Sequence, residues 1–187
     1  VRILDDLASQ GYESFFFDQR GSGWTSPDKT KGLTDEFHTF DDLDFFIKMN
    51  IDEIGPDMKL FMGGHSMGGG IALNYGITGQ YKDRLSGIFV TGPLILLHPR
   101  TRPNKWLRSF SELVAKVWPT KKIDTELVKH YVTADEEWAD FIAENPILTP
   151  FIGTLRQISD FLKRYVVQMH WLVSLFGFTN TDTEVKI

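Results

Sequence analysis

Val1, Leu4, Leu7 and Ala8 repeat at helical spacing and Gly11 follows as a stop, which predicts a helix over Val1–Gln10. The pattern then contracts to a continuous apolar run, Ser14–Asp18 (SFFFD), predicting a buried strand that feeds a turn-rich loop, Gln19–Pro27. Thr34 or Asp35 can cap a second helix that runs through Phe37, Phe40, Leu43, Phe46 and Ile47 to about Asn50. After Gly55-Pro56 come a second strand, Lys59–Gly63, a helix from Met67 to about Gly76, and a third strand, Ser86–Thr91, closed by Gly92-Pro93. Strand and helix alternate, which predicts an α/β fold with a parallel sheet.

From about Pro99 the period changes. Trp106, Leu107, Phe110, Leu113, Val114, Val117 and Trp118 recur every three or four residues and predict an amphipathic helix over Asn104–Trp118. Further helices are predicted over Thr125–Tyr131, Asp135–Ala143 and Gly153–Met169, so the second half reads as helical throughout, an insertion or cap on the α/β part. The longest uncharged run, Tyr165–Thr181, contains Gln168, His170, Ser174 and Asn180. A spanning helix needs ~20 predominantly apolar residues, so this run reads as a buried or interfacial segment.

Composition narrows the picture. The 187 residues, 42% of them hydrophobic, suit one domain, or one domain with an insertion, with a sizeable core. Without cysteine there is no disulfide, thiolate metal site or cysteine nucleophile. A net charge of −5 argues against a nucleic-acid binder. Seven basic residues against one acidic crowd into Pro99–Lys122, a local +6 that leaves −11 for the remainder. That contrast fits either a contact with an anionic surface or a solvated helix face.

Gly64-His65-Ser66-Met67-Gly68 fits G-x-S-x-G, the nucleophile elbow. An apolar strand enters it and a helix rich in small residues leaves it, as that sharp turn requires. Ser66 is the candidate nucleophile, and Gly64 and Gly68 are expected to clear space two positions either side. The helix starting at Met67 would aim its positive end at the reacting centre, with Met67 N–H one donor to an oxyanion. Gly68-Gly69-Gly70 lacks the spacing of a phosphate-binding loop.

Four segments in order, Phe17–Gly23 (FDQRGSG), Gly32–Phe40 (GLTDEFHTF), Phe61–Gly70 (FMGGHSMGGG) and Gly92–Pro99 (GPLILLHP), resemble monoacylglycerol lipases, closest to the fungal enzymes. These belong to the α/β-hydrolase superfamily, in its serine aminopeptidase S33-like or lysophospholipase-like branch. The resemblance runs from Val1 to about Arg164. It implies a partial α/β-hydrolase core over 1–98, a helical cap over 99–165 and an atypical tail over 166–187. It also implies a serine ester hydrolase that cleaves monoacylglycerol to glycerol and fatty acid through an acyl-enzyme on Ser66. The cap helix would touch lipid through Lys105, Trp106, Arg108, Phe110 and Trp118, and Trp and Phe on one face with basic residues near the other agree. The same stripe could instead be buried on the cap's own domain.

The family pattern is incomplete here. An H-G-x-G-type segment, source of the second oxyanion donor, does not precede Val1, and the Asp and His of the triad would follow the cap. First and last core strands are therefore expected to be missing, with a gap, or a non-native pairing, between the Phe15–Asp18 and Lys59–Gly63 strands. The sequence reads as a stretch of a longer protein, inactive or nearly so as given, with an active parent and an unrelated tail after Arg164. His38, His65, His98, His130 and His170 read as structural or exposed rather than as a general base, and Asp124, Asp135, Asp140 and Asp160 as solvated cap residues. Alternatives are a non-catalytic lipid-surface module, or a lysophospholipase, peptidase or other acyl hydrolase of the superfamily. Nothing in the sequence points to a metal or organic cofactor. The resemblance implies a monoacylglycerol or lysolipid substrate and a cytoplasmic location, peripheral to a lipid droplet or the endoplasmic reticulum membrane.

Overall fold

The computed structural model describes residues 2–26, 30, 32–95, 113–124, 133–145, 152–160 and 163. Helix α1 (Arg2–Ser9) is followed by α2 (Glu36–Ile54), strand β1 (Leu60–His65), helix α3 (Met67–Thr78), a 3₁₀ turn (Lys82–Arg84) and strand β2 (Leu85–Thr91). β1 and β2 are parallel, pairing Phe61 with Gly87, Gly63 with Phe89 and His65 with Thr91. Parallel neighbours need a crossover, and α3 supplies it.

The core forms where α2 lies on this unit. Leu43 and Ile47 of α2 meet Ile71 and Tyr75 of α3, with Phe40, Ile51, Leu60, Met62, Tyr81 and Leu85 around them. Tyr75 is fully buried, and its hydroxyl donates to Asp44 of α2 at 2.5 Å while accepting from Tyr81 N–H at 3.3 Å. Burial first, and the Asp44 carboxylate second, raise the Tyr75 pKa above its usual value near 10. Phe61 and Phe89 lie on the opposite sheet face. There the Phe61 ring lies over Gly87 and the Phe89 ring over Gly63, each aromatic more than half exposed.

Several expectations are corrected. α2 continues past Asn50 to Ile54 because Gly55, at φ 80°, can turn the chain there and return its N–H to Ile51 O. Phe37, in the first turn of α2, is 63% exposed. Ser14–Asp18 is not a strand and pairs with none among the described residues; Phe17 packs on Phe46 instead, ring centroids 4.5 Å apart. The edge of β1 away from β2 is likewise unpaired among the described residues.

The second half is not helical throughout. Strand β3 (Lys122–Asp124) pairs antiparallel with β4 (Ile152–Thr154), and helix resumes only at 155–160. The cause is a capping box. Thr154 Oγ1 accepts from Gln157 N–H at 3.2 Å, and Gln157 Oε1 accepts from Thr154 N–H at 3.0 Å, fixing a helix start at Thr154. Helix α4 (Glu136–Glu144) starts at an Asp35-like cap, Asp135, whose carboxylate accepts from Trp138 N–H. Asp160, expected to be solvated, is fully buried, held by Arg156 Nε at 2.9 Å with Lys163 Nζ at 3.6 Å. The predicted Thr125–Tyr131 helix and the 166–187 tail lie outside the described residues.

Candidate active site

Ser66 alone links β1 to α3. Ser66 has φ 51° and ψ −116°, and among the described residues no other non-glycine residue has positive φ. This pair of angles lies outside the small left-handed well open to L-residues, and such strain costs on the order of 1–3 kcal/mol. A serine at a helix N-cap ordinarily accepts from an N–H of the first turn. Ser66 makes no such bond, and the residue is exposed, so its hydroxyl is spared for other work. No hydrogen bond joins it to a histidine among the described residues.

Crowding explains one glycine more than the other. A Cβ on Gly64 would sit 2.3 Å from Gly68 O, and one on Gly69 would sit 3.0 Å from Pro93. A Cβ on Gly68 would meet nothing within 4 Å among the described residues. The clearance expected at Gly68 is thus needed at Gly64 and Gly69, because it is the Gly68 backbone that presses on the strand. Met67, 45% exposed, begins α3, where the first N–H groups have no intrahelical acceptor and the helix dipole adds positive potential.

The strained residue is gripped from β2. Ser66 N–H donates to Thr91 O at 3.0 Å, and Ser66 O accepts from both Gly70 N–H (3.1 Å) and Leu94 N–H (2.8 Å). His65 Nδ1 lies 2.9 Å from Thr91 Oγ1, so this imidazole is engaged across the sheet. The sequence offered no sign of Thr91 or Leu94 as partners of the elbow, because strand register is not written in either strand alone. His38 contacts Asp35, the α2 cap, at 3.4 Å. His98, His130 and His170 lie outside the described residues, as do Lys105, Trp106, Arg108 and Phe110. Trp118, with Leu113 and Val117 of the helical residues 113–117, is described and mostly exposed, while Ala115 is buried.

The loop carrying FDQRGSG folds back on itself. Asp18 accepts from Trp24 N–H at 2.9 Å, Ser26 Oγ accepts from Gly21 N–H at 2.8 Å, and a Cβ on Gly23 would strike the Asp18 carboxylate. Its motif residues thus hold the loop's own shape. No helix among the described residues is long and apolar enough to cross a membrane.

Comparison with known proteins gives consistent matches. The profile of the family described as serine aminopeptidase, S33, matches residues 1–170. Monoglyceride lipase of Saccharomyces cerevisiae is 47% identical over 164 residues, which is 87% of this chain and 52% of that protein. A putative monoglyceride lipase of Schizosaccharomyces pombe is 36% identical over 87% of this chain and 43% of its own length. The chain thus spans about half the length of these curated relatives. The crystal structure of a soluble variant of the Saccharomyces cerevisiae enzyme with a substrate analog superposes with a TM-score of 0.80 at 45% identity, covering 91% of this chain and 56% of that one.

Proposed function

The chain belongs to the serine aminopeptidase S33 family, with an α/β-hydrolase fold, and on that premise we propose that it carries the nucleophile of a serine ester hydrolase cleaving monoacylglycerol. The observation that bears most weight is Ser66, an exposed hydroxyl at a positive-φ turn between a parallel strand and a helix N-terminus. In this reading Ser66 Oγ attacks the ester carbonyl carbon and its proton passes to a general base. The C–O bond to glycerol then breaks as the base returns that proton to the glycerol oxygen, leaving an acyl-enzyme; water, deprotonated by the same base, cleaves it to fatty acid and restores the Ser66 hydroxyl. Met67 N–H is one of the donors that steady the oxyanion. The chemistry calls for no cofactor.

The substrate class rests on the monoglyceride lipases to which the chain is similar. We further assign residues 99–165 to a cap over the acyl chain. Exposed Leu113, Val117 and Trp118 beside Lys116 support contact with a lipid surface. From the family likeness we also assign a cytoplasmic position peripheral to a lipid droplet or the endoplasmic reticulum.

A fluorophosphonate probe with a long alkyl chain tests the assignment. The full-length protein is expected to be labelled on the peptide containing Ser66, with labelling lost in Ser66→Ala and competed by monooleoylglycerol. Labelling that survives Ser66→Ala, or a full-length protein that does not react, overturns the reading. The 187 residues alone are expected to react far more slowly, since no described histidine contacts the Ser66 hydroxyl.

A further inference from the structure

The end of β2 and the residues after it touch the elbow at five points. Thr91 O accepts from Ser66 N–H, Leu94 N–H donates to Ser66 O, and Thr91 Oγ1 bonds His65 Nδ1. Pro93 lies where a Gly69 side chain would begin, and Gly92, at φ 49°, sits beside the His65 ring. A strained backbone persists only where its surroundings over-determine it. The α3 helix alone does not do this for Ser66, because it supplies a single bond to that residue, from Gly70 N–H.

We propose that Thr91 and the Gly92-Pro93-Leu94 turn form a brace that positions the Ser66 hydroxyl, with Thr91 a positioning residue acting through His65 and the Ser66 backbone. This rests on the reading of Ser66 as nucleophile. Thr91 serves twice. Its carbonyl fixes the Ser66 amide, and its hydroxyl fixes the imidazole of the preceding residue, so the two residues at the bend cannot rotate independently. Leu94 then locks the other end of the Ser66 residue. The brace enters the chain directly after β2, so its geometry is set by the β1–β2 register rather than by the elbow's own pentapeptide.

Thr91→Val keeps the branched shape and removes the hydroxyl; Thr91→Ser restores it. In the full-length protein Thr91→Val is expected to lower the limiting rate of fluorophosphonate labelling about tenfold, since displacements near 1 Å can cost up to about a hundredfold. The half-saturating probe concentration should hold, and Thr91→Ser should recover most of the rate. Amide exchange at Ser66 and Leu94 should quicken about fivefold in Thr91→Val while Leu43 and Ile47, in the core, keep their protection. The His65 ring nitrogens should report one tautomer in the wild type, a mixture in Thr91→Val and one tautomer again in Thr91→Ser. Unchanged labelling, exchange and tautomer in Thr91→Val would overturn the brace, as would a uniform loss of protection across the core. Should the wild-type protein fail to label, the nucleophile reading falls, and exchange and tautomer still judge the brace by themselves.

Discussion

Two glycines four residues apart in the elbow face opposite fates. Alanine at 64 would bring its methyl group against the Gly68 carbonyl, backbone that cannot swing aside. Gly64→Ala is therefore expected to destabilise by about 3 kcal/mol or more in urea titration. Gly68→Ala meets no neighbour among the described residues and lies in a helix, so it should leave stability level or raise it by ~0.5–1 kcal/mol. Tyr75 gives a second test. Tyr75→Phe strips a bond from Asp44 and should cost about 2 kcal/mol at neutral pH. With the folded pKa raised, stability is intact below pH 10. Above it the unfolded tyrosine ionises first, so wild-type stability should fall by up to about 1.4 kcal/mol per pH unit. That Tyr75 contribution should be absent from the same titration of Tyr75→Phe. Ser66 was legible at this scale because a sharp turn demands small residues at fixed spacing. Thr91 was not, since nothing local to it says which residue stands opposite.

At the scale of elements, termini carried the legible signals. Asp35 was read as the cap of α2 and does accept from His38 N–H, so Asp35→Ala should cost about 1 kcal/mol in thermal or urea unfolding. The far end was misplaced because Asn50 looks like a terminator, yet it is buried within the helix with its amide donating to Phe46 O. The Thr154–Gln157 box is written in the sequence as T-x-x-Q, but helical periodicity over Gly153–Met169 masks the strand that ends there. Loss of the box in Gln157→Ala should fray the 155–160 helix and cost about 1 kcal/mol, seen as faster amide exchange at Gln157 and its neighbours. Ser14–Asp18 has the composition of a strand, but a strand exists only beside a partner, and composition cannot supply one.

For the molecule as a whole, alternation of strand and helix was enough to read the α/β class, because a parallel pair cannot be joined without a crossover. The buried charge at Asp160 was invisible, since burial depends on how distant segments stack. One surface has a practical consequence. Phe61 and Phe89, each beside a glycine and more than half exposed, put aromatic surface on the sheet, apart in sequence from exposed Leu113, Val117 and Trp118. A vesicle offered to this protein therefore meets two greasy places, and flotation alone cannot say which one it prefers. Trp118→Ala and a Phe61→Ser/Phe89→Ser double variant must be floated side by side, and adhesion that vanishes only with the phenylalanines would place the contact on the sheet face rather than on the cap.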